Sequence, residues 1–287
     1  MRARVLLLAL FAAACGPAVS ERVSVLGVDR LSGEVSAQEV ELPGTDLVAV
    51  RGPAGVVLEA GRSPECALRR KVNGAWVART QRCVSLLGDY AALERARQFL
   101  LSAGAEALQP AAIMADDGNE PGLHYDPRLD AFTLGEGPAG ARVPAALNPG
   151  GVARELTRRQ LRSVPADVAE GVALFLGAAA SADPGFLASS EPGGDPMGRL
   201  DLSRPLPAGA PASAVLAAAL WAWADASGDL TNASRAALAA ARAVGQGPSD
   251  PAAVLSLVAG QLDSTERDQA CAIFRARLHT AAISACP

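Results

Sequence analysis

Residues 148–180 constrain the fold most, because they predict two consecutive helices joined by a sharp break. Asn148-Pro149 is typical of a helix start, with Asn as the N-cap and Pro in the first turn. This first helix is expected to end near Arg162, since Val164-Pro165 interrupts the helical pattern. A second helix with one apolar face then fills the rest of the segment. Any fold of the chain must accommodate this helix pair.

The flanking sequence predicts an α+β fold: a small β-rich N-terminal region, then a mostly helical domain with a small edge sheet. Residues 20–85 contain short apolar or β-branched runs separated by turn residues, which is typical of strands. Asp89 is expected to cap a helix over residues 88–103. Further expected elements are a strand at Pro110–Met114, a hairpin around Asp126-Pro127-Arg128, loops at 138–147 and 181–211, and helices at about 212–226, 231–245, 250–260 and 265–283.

The N-terminus has the pattern of an export signal. The basic stretch Met1–Arg4 precedes an apolar run, Val5–Phe11, that is too short to span a bilayer as a permanent helix. Ala12-Ala13-Ala14-Cys15 resembles the lipobox of bacterial lipoproteins, although Leu is usual where Ala12 stands. The resemblance implies cleavage after residue 14 and acylation of Cys15, for example with palmitate. The alternative is ordinary signal cleavage that leaves a free thiol.

The expected organisation is therefore a lipoprotein signal peptide at 1–14, a lipid-anchored β-rich region at 15–87 and a helical domain at 88–287. Gly16 stands where an Asp would favour retention at the inner membrane, so the family sorting rule favours the outer membrane. The expected location is the bacterial cell envelope. The membrane is the first expected partner, through the lipid on Cys15.

Four cysteines remain after Cys15. An even number in an oxidising compartment predicts two disulfides, and three connectivities are open. We favour the two pairings that are local in sequence, each worth roughly 3 kcal/mol in the chain-entropy treatment of the unfolded state. Buried free thiols are the alternative, and the absence of a Cys-x-x-Cys spacing argues against a cysteine metal site. The favoured pairs are Cys66 with Cys83 and Cys271 with Cys286.

Composition excludes several classes of function. The formal net charge is −4 and aromatic residues make up 4% of the chain, which gives nucleic-acid binding no support. The sequence also contains no phosphate-binding loop, no dinucleotide fingerprint and no Gly-x-Ser-x-Gly elbow. The chemistry therefore has to be sought in the predicted helix pair.

The first helix of that pair carries Arg154-Glu155-Leu156-Thr157-Arg158. This is the pattern of the zinc-protease helix, His-Glu-x-x-His, with both histidines replaced by arginine. In the intact motif, the two histidines face one metal ion and the glutamate acts on the metal-bound water. The second helix carries Glu170-Gly171, where such enzymes supply a glutamate as the third ligand.

The order of these segments resembles the thermolysin and fungalysin type of zinc metallopeptidase over residues 88–285. An extended segment from His124-Tyr125 to Leu134-Gly135 stands where that family has the strand at the edge of its active-site cleft. The resemblance implies a zincin-like fold in which His124 and Tyr125 lie beside a residual cleft. Two weaker correspondences are the loop Asp195-Pro196-Met197-Gly198 and the downstream Leu220-Trp221.

The departures from the family predict that the zinc site is lost. Arginine stays protonated and has no lone pair for a metal, so neither Arg154 nor Arg158 replaces a histidine ligand. Leu174 also stands where the family commonly has an Asp, and the gap between Arg158 and Glu170 is shorter than in thermolysin. We therefore expect no metal, no cofactor and no catalytic residue. Instead, the two arginines are expected to point at Glu170 and to replace the positive charge of the zinc.

Three hypotheses for function remain open at this stage. The first is a non-catalytic, lipid-anchored pseudo-metallopeptidase that binds a peptide, a protein or cell-wall material in the residual cleft. The second is an active hydrolase that uses Glu155 and Glu170 as acid and base without a standard zinc site. The third is a structural envelope lipoprotein in which the arginines form a solvated helix face and Glu155 pairs with Arg159, four residues on.

Overall fold

The computed structural model describes residues 20–28, 35–59, 61–106, 108–135, 149–187, 200–245, 250–278 and 283–286. Within these ranges the chain forms two four-stranded sheets and seven helices, which confirms the α+β class with a β-rich N-terminal region. Several expectations lie outside the described residues: the signal and Cys15, the loop at 138–147, the Asn148 cap and the loop at Asp195–Gly198.

In chain order the strands are β1 (Ser20–Val28), β2 (Val35–Pro43), β3 (Arg51–Gly52), β4 (Gly55–Glu59), β5 (Leu68–Arg70), β6 (Trp76–Ala78), β7 (Ala111–Asp126) and β8 (Ala131–Gly135). The helices are α1 (Gln81–Ser102), α2 (Pro149–Gln160), α3 (Ala166–Ser181), α4 (Ala212–Ser227), α5 (Leu230–Val244), α6 (Pro251–Gly260) and α7 (Ser264–Leu278). Among the described residues, no helix is long and apolar enough to cross a bilayer.

The first sheet has the strand order β2-β1-β6-β5 and the second has β3-β4-β7-β8. In the first sheet, β1 runs antiparallel to β2 and parallel to β6, and β5 and β6 form a hairpin. In the second, β4 runs antiparallel to β3 and parallel to the start of β7. Helix α1 contacts both sheets and also α2, so it connects the β-rich region to the helices.

Strand β7 is longer than the predicted strand at 110–114 and contacts β8 twice, in opposite directions. Ala112 lies opposite Ala131 and Ala115 opposite Leu134, which is a parallel register. Further along, Leu123 lies opposite Leu134 and Asp126 opposite Ala131, so this part of β7 runs antiparallel to β8. Strand β8 therefore lies between the two arms of β7, and the hairpin expected at Asp126 is present.

Helix α1 begins earlier than the sequence predicted. Its first residue is Gln81, and the side chain of Thr80 caps it by accepting a hydrogen bond from the Cys83 backbone N–H at 3.3 Å. Asp89, the predicted cap, is completely buried inside the helix. The apolar pair Leu86-Leu87 explains the early start, since both side chains are buried in the core one turn before Asp89. The boundary expected between residues 87 and 88 thus falls within a continuous helix.

Both disulfides have the pairing favoured from the sequence. Cys66 is bonded to Cys83 and Cys271 to Cys286, each with a Cα–Cα distance of 5.5 Å. The first joins the start of α1 to the loop that precedes β5, and the second ties the C-terminal turn to α7. Helix α7 ends at Leu278, within the expected 265–283, of which 279–282 lie outside the described residues.

Candidate functional site

Two glycines bring α2 and α3 into backbone contact. A Cβ on Gly150 would lie 2.6 Å from the Gly177 carbonyl oxygen, and a Cβ on Gly177 would lie 2.8 Å from the Gly150 carbonyl oxygen. Phe186 packs beside both positions. On the other side of α3, a Cβ on Gly171 would lie 2.9 Å from Leu216 of α4. Helix α3 is therefore packed closely between α2 and α4. This packing sets the distance between Glu170 of α3 and the side chains of α2.

The close helix crossing assembles four charged side chains, which we call the charge cluster: Arg154, Glu155 and Arg158 of α2 and Glu170 of α3. Arg154 donates to Oε1 of Glu170 from Nε at 2.9 Å and from Nη2 at 2.6 Å. Nε of Arg158 lies 3.1 Å from Oε2 of Glu170, and its Nη1 donates to Oε1 of Glu155 at 3.0 Å. Both arginines thus contact Glu170, as expected from the sequence, and Arg158 bridges the two carboxylates.

The charge cluster is sequestered at one end and open to solvent at the other. The side chains are 3% exposed at Glu155, 15% at Arg154, 21% at Glu170 and 46% at Arg158. Oε2 of Glu155 is buried and has no hydrogen-bond partner among the described residues. Two positive and two negative charges balance, which allows the group to be partly removed from water.

The donor set of this cluster does not fit a metal ion. Its two carboxylates are engaged by guanidinium groups, and guanidinium is not a metal ligand. Leu174, where the peptidase family commonly has an acid, is fully buried in the apolar core. Within the described ranges, no group of three or more His, Cys, Asp or Glu side chains is arranged to hold a metal ion.

The next arginine of α2 makes a separate contact, which we call the surface set: Arg159, Asp130 and Tyr125. Arg159 donates to both oxygens of Asp130, at 2.9 Å from Nε and 2.6 Å from Nη2. The Tyr125 hydroxyl donates to the same carboxylate at 2.6 Å. These contacts fasten α2 to the turn between β7 and β8, where Asp130 has a left-handed backbone with φ +48°.

The surface set alters the ionisation of two of its members. The hydrogen bond from Arg159, followed by that from Tyr125, holds the pKa of Asp130 below its usual value. The hydrogen bond to Asp130 raises the pKa of Tyr125, with burial as a second cause. The tyrosine therefore stays a neutral donor to an ionised carboxylate across a wider pH range than either group alone would allow.

This arrangement corrects one alternative drawn from the sequence, which paired Glu155 with Arg159. Glu155 instead contacts Arg158, three residues on, and Arg159 is taken by Asp130. No local pattern signals the second contact, because it joins residues 29 positions apart through the fold. The predicted hairpin at 126–128 located the turn but not its partner helix.

The two residues expected to line a cleft have structural contacts. The Tyr125 ring packs on Phe132 with centroids 5.4 Å apart, and its hydroxyl is held by Asp130. The backbone carbonyl of His124 accepts a hydrogen bond from the Thr133 hydroxyl at 3.4 Å. Trp221 and Trp223 are buried in the core, and Trp223 packs edge-on against Phe274.

No family model matches the chain, and comparisons with curated proteins and with solved structures likewise gave no match. The resemblance to zinc metallopeptidases therefore depends on the residues of this chain and on how they are arranged.

Proposed function

We propose that the chain is a non-catalytic, lipid-anchored protein of the bacterial cell envelope, built on a metallopeptidase-like scaffold. One observation carries the proposal: Arg154 and Arg158 both contact Glu170. These are the positions that correspond to the two histidines and the glutamate of a zinc helix pair, where the three ligands meet at one metal. The function that remains for such a scaffold is binding of a peptide, a protein or cell-wall material.

The contacts also argue against the alternative of an acid–base hydrolase. A catalytic carboxylate needs access to substrate or water, and Glu155 is only 3% exposed. Glu170 is held on both oxygens, by Arg154 and by Arg158. Glu155 is therefore too buried, and Glu170 too fully engaged, to activate a water or to reach a scissile bond. In this proposal the guanidinium groups supply, between the two helices, the positive charge that a zinc ion would otherwise supply.

The two disulfides support export. Disulfides persist in oxidising compartments such as the bacterial periplasm and are rare in the cytosol. Both bonds stabilise segments that have little secondary structure of their own: the loop before β5 and the C-terminal turn. This location agrees with the lipobox-like Ala12-Ala13-Ala14-Cys15. The proposed placement in the outer membrane rests on Gly16, because the sorting rule of bacterial lipoproteins associates an Asp at this position with the inner membrane.

The test combines metal analysis with a peptidase assay. Purified protein is expected to contain no stoichiometric zinc and to leave casein and a peptide library uncleaved, with Glu155→Gln identical to the unmodified chain. A full equivalent of zinc, together with cleavage that Glu155→Gln abolishes, would overturn the non-catalytic assignment. The anchor is tested separately by the mass of the N-terminal peptide from membranes, with Cys15→Ser as the unacylated control.

A further inference from the structure

The β5–β6 hairpin exposes an apolar side chain at its tip. Lys71 N–H donates to the Ala75 carbonyl and Gly74 N–H donates to the Lys71 carbonyl, at 2.8 and 3.0 Å, which makes a tight turn. Gly74 has the positive φ (+84°) that this turn requires. Val72 is fully exposed at the tip, with a relative exposure of 109%. The two hydrogen bonds close the turn with Val72 at its exposed tip.

The same hairpin is cationic. Residues 69–74 contain three basic residues and no acid. Arg69 and Arg70 are exposed and form no ion pair with another described residue, and Arg70 lies over the Trp76 ring at 4.8 Å. Lys71 is the one of these three cations that has an acidic partner among the described residues: its Nζ lies 3.6 Å from a carboxylate oxygen of Glu39.

The acids of the neighbouring strands are Glu21 of β1 and Glu39 and Glu41 of β2, and the register places Glu21 and Glu41 at the same end of the sheet as the tip. Glu39 of β2 is bound by Lys71, Arg22 and Asn73, and the Asn73 amide is the main cause of its lowered pKa. Glu21 of β1 accepts a hydrogen bond from the Trp76 indole at 2.8 Å. Among the described residues, Glu39 is the one acid that pairs with a cation of the hairpin, through Lys71, so Arg69 and Arg70 are left available for an external anion.

The hairpin tip lies at the end of the sheet where the chain enters the fold. Val23 of β1 pairs in parallel with Trp76, so the turn before Trp76 and the first residues of β1 are at the same end of the sheet. Cys15 precedes Ser20 by five residues, which span at most about 18 Å when extended. An acyl chain on Cys15 would hold this end of the sheet, with its exposed valine and arginines, at the bilayer surface.

We propose that the β5–β6 hairpin is a membrane-contact surface that docks on anionic phospholipid headgroups and orients the protein on its anchor. Val72 enters the headgroup layer, and Arg69 and Arg70 contact lipid phosphates. The partner follows from charge complementarity, since an apolar tip beside cations matches a negatively charged interface. The inference relies on the proposed function only for the anchor on Cys15.

The test uses the mature chain, residues 15–287, with Cys15→Ser, so that no acyl chain contributes. An environment-sensitive fluorophore is placed at Val72→Cys, and in a matched variant at Leu129→Cys. Leu129 is a second exposed apolar tip, 60% exposed, between Asp126 and Asp130 in the turn of another hairpin. Vesicles of phosphatidylethanolamine with phosphatidylglycerol are compared with vesicles of phosphatidylcholine, at low and at physiological salt.

The expected result is a blue shift at position 72 with the anionic vesicles only, reduced by salt, and no shift at position 129. Arg69→Glu with Arg70→Glu should weaken vesicle partitioning at least tenfold, and Arg128→Glu should leave it unchanged. Absence of a shift at position 72, an equal shift at both positions, or partitioning unaffected by the double charge reversal would overturn the proposal. A missing acyl group on Cys15 would instead contradict the anchor alone.

Discussion

Helix α2 directs its arginines to carboxylates in two places that differ chiefly in how far the carboxylate is buried. In the charge cluster, Arg154 and Arg158 contact Glu170, whose side chain is 21% exposed. In the surface set, Arg159 forms two hydrogen bonds with Asp130, whose side chain is 56% exposed. The bond lengths are alike, so geometry alone does not rank the two. The burial of the carboxylates and the remaining partners of the arginines do. Arg159 is itself only 13% exposed, but without Asp130 it would still donate to the backbone carbonyls of Gln109 and Pro110.

The largest effect is expected from Glu170→Gln. Removing one member of a buried ion cluster costs about 3–5 kcal/mol, and partial exposure of Glu170 places the loss near the lower end. Urea unfolding measures the change in the free energy of unfolding. The matched control is Glu106→Gln, which removes a carboxylate that is 89% exposed and 3.9 Å from Arg242, and is expected to change almost nothing. An unchanged free energy of unfolding in Glu170→Gln would contradict the idea that the arginines replace a metal.

The helix crossing that assembles the cluster is tested by Gly150→Ala. The added Cβ would lie 2.6 Å from the Gly177 carbonyl and 2.7 Å from Phe186, so the helices must separate, at a cost of about 1–3 kcal/mol. The control is Gly260→Ala in the last turn of α6, where nothing lies within 4 Å and alanine favours a helix. Equal stabilities of the two variants in thermal unfolding would contradict the close crossing.

A double replacement separates the cost of an orphaned charge from the value of the pair. Arg154→Met with Glu170→Leu removes two charges together and fills the same space with apolar groups. The loss of unfolding free energy should be about 1 kcal/mol or less, well below that of Glu170→Gln, because buried ion pairs rarely outperform apolar residues of equal volume. A loss of unfolding free energy as large as the sum of those of Arg154→Met and Glu170→Leu, each measured alone, would show that the pair itself stabilises the fold.

The smallest effect is expected from Asp130→Asn, about 0.2–1 kcal/mol at neutral pH, because the carboxylate is largely exposed. Its pKa in the folded chain is lowered, so its contribution is present above the unfolded value of about 3.9 and is lost as the pH falls through the folded value. The stability difference between Asp130→Asn and the unmodified chain should therefore shrink in acid. Urea midpoints at neutral pH and at pH values below 4 measure it; a difference that grows in acid would contradict the Arg159 contact.

The helix pair was predictable because its signals are local. Pro149 is the first residue of α2, and the break at Pro165 precedes the first residue of α3, as expected. The pattern of Arg154, Arg158 and Glu170 could be read from the sequence because helical spacing places the first two on one face. Their meeting with Glu170 required only that the two helices pack side by side.

Features that depend on the tertiary fold were missed. Asp89 has the side chain of a helix cap, yet the apolar residues before it are buried and extend α1 back to the Thr80 cap. The turn-forming residues Asp116-Asp117-Gly118-Asn119, which predict a loop, stand where β7 reverses, but nothing local shows that both arms of β7 pair with β8. The partner of Arg159 lies in that reversed hairpin, so the surface set could not be predicted before the reversal was known.

The most direct test of the central claim is to restore the metal ligands. Arg154→His with Arg158→His places two imidazoles at helical spacing beside Glu170, which is the ligand set of a zinc helix pair. If the charge cluster occupies a former metal site, this variant should bind about one zinc ion per chain by direct titration. The unmodified chain should bind none, and adding Glu170→Gln to the variant should abolish binding. A folded double variant that binds no more zinc than the unmodified chain would contradict the account.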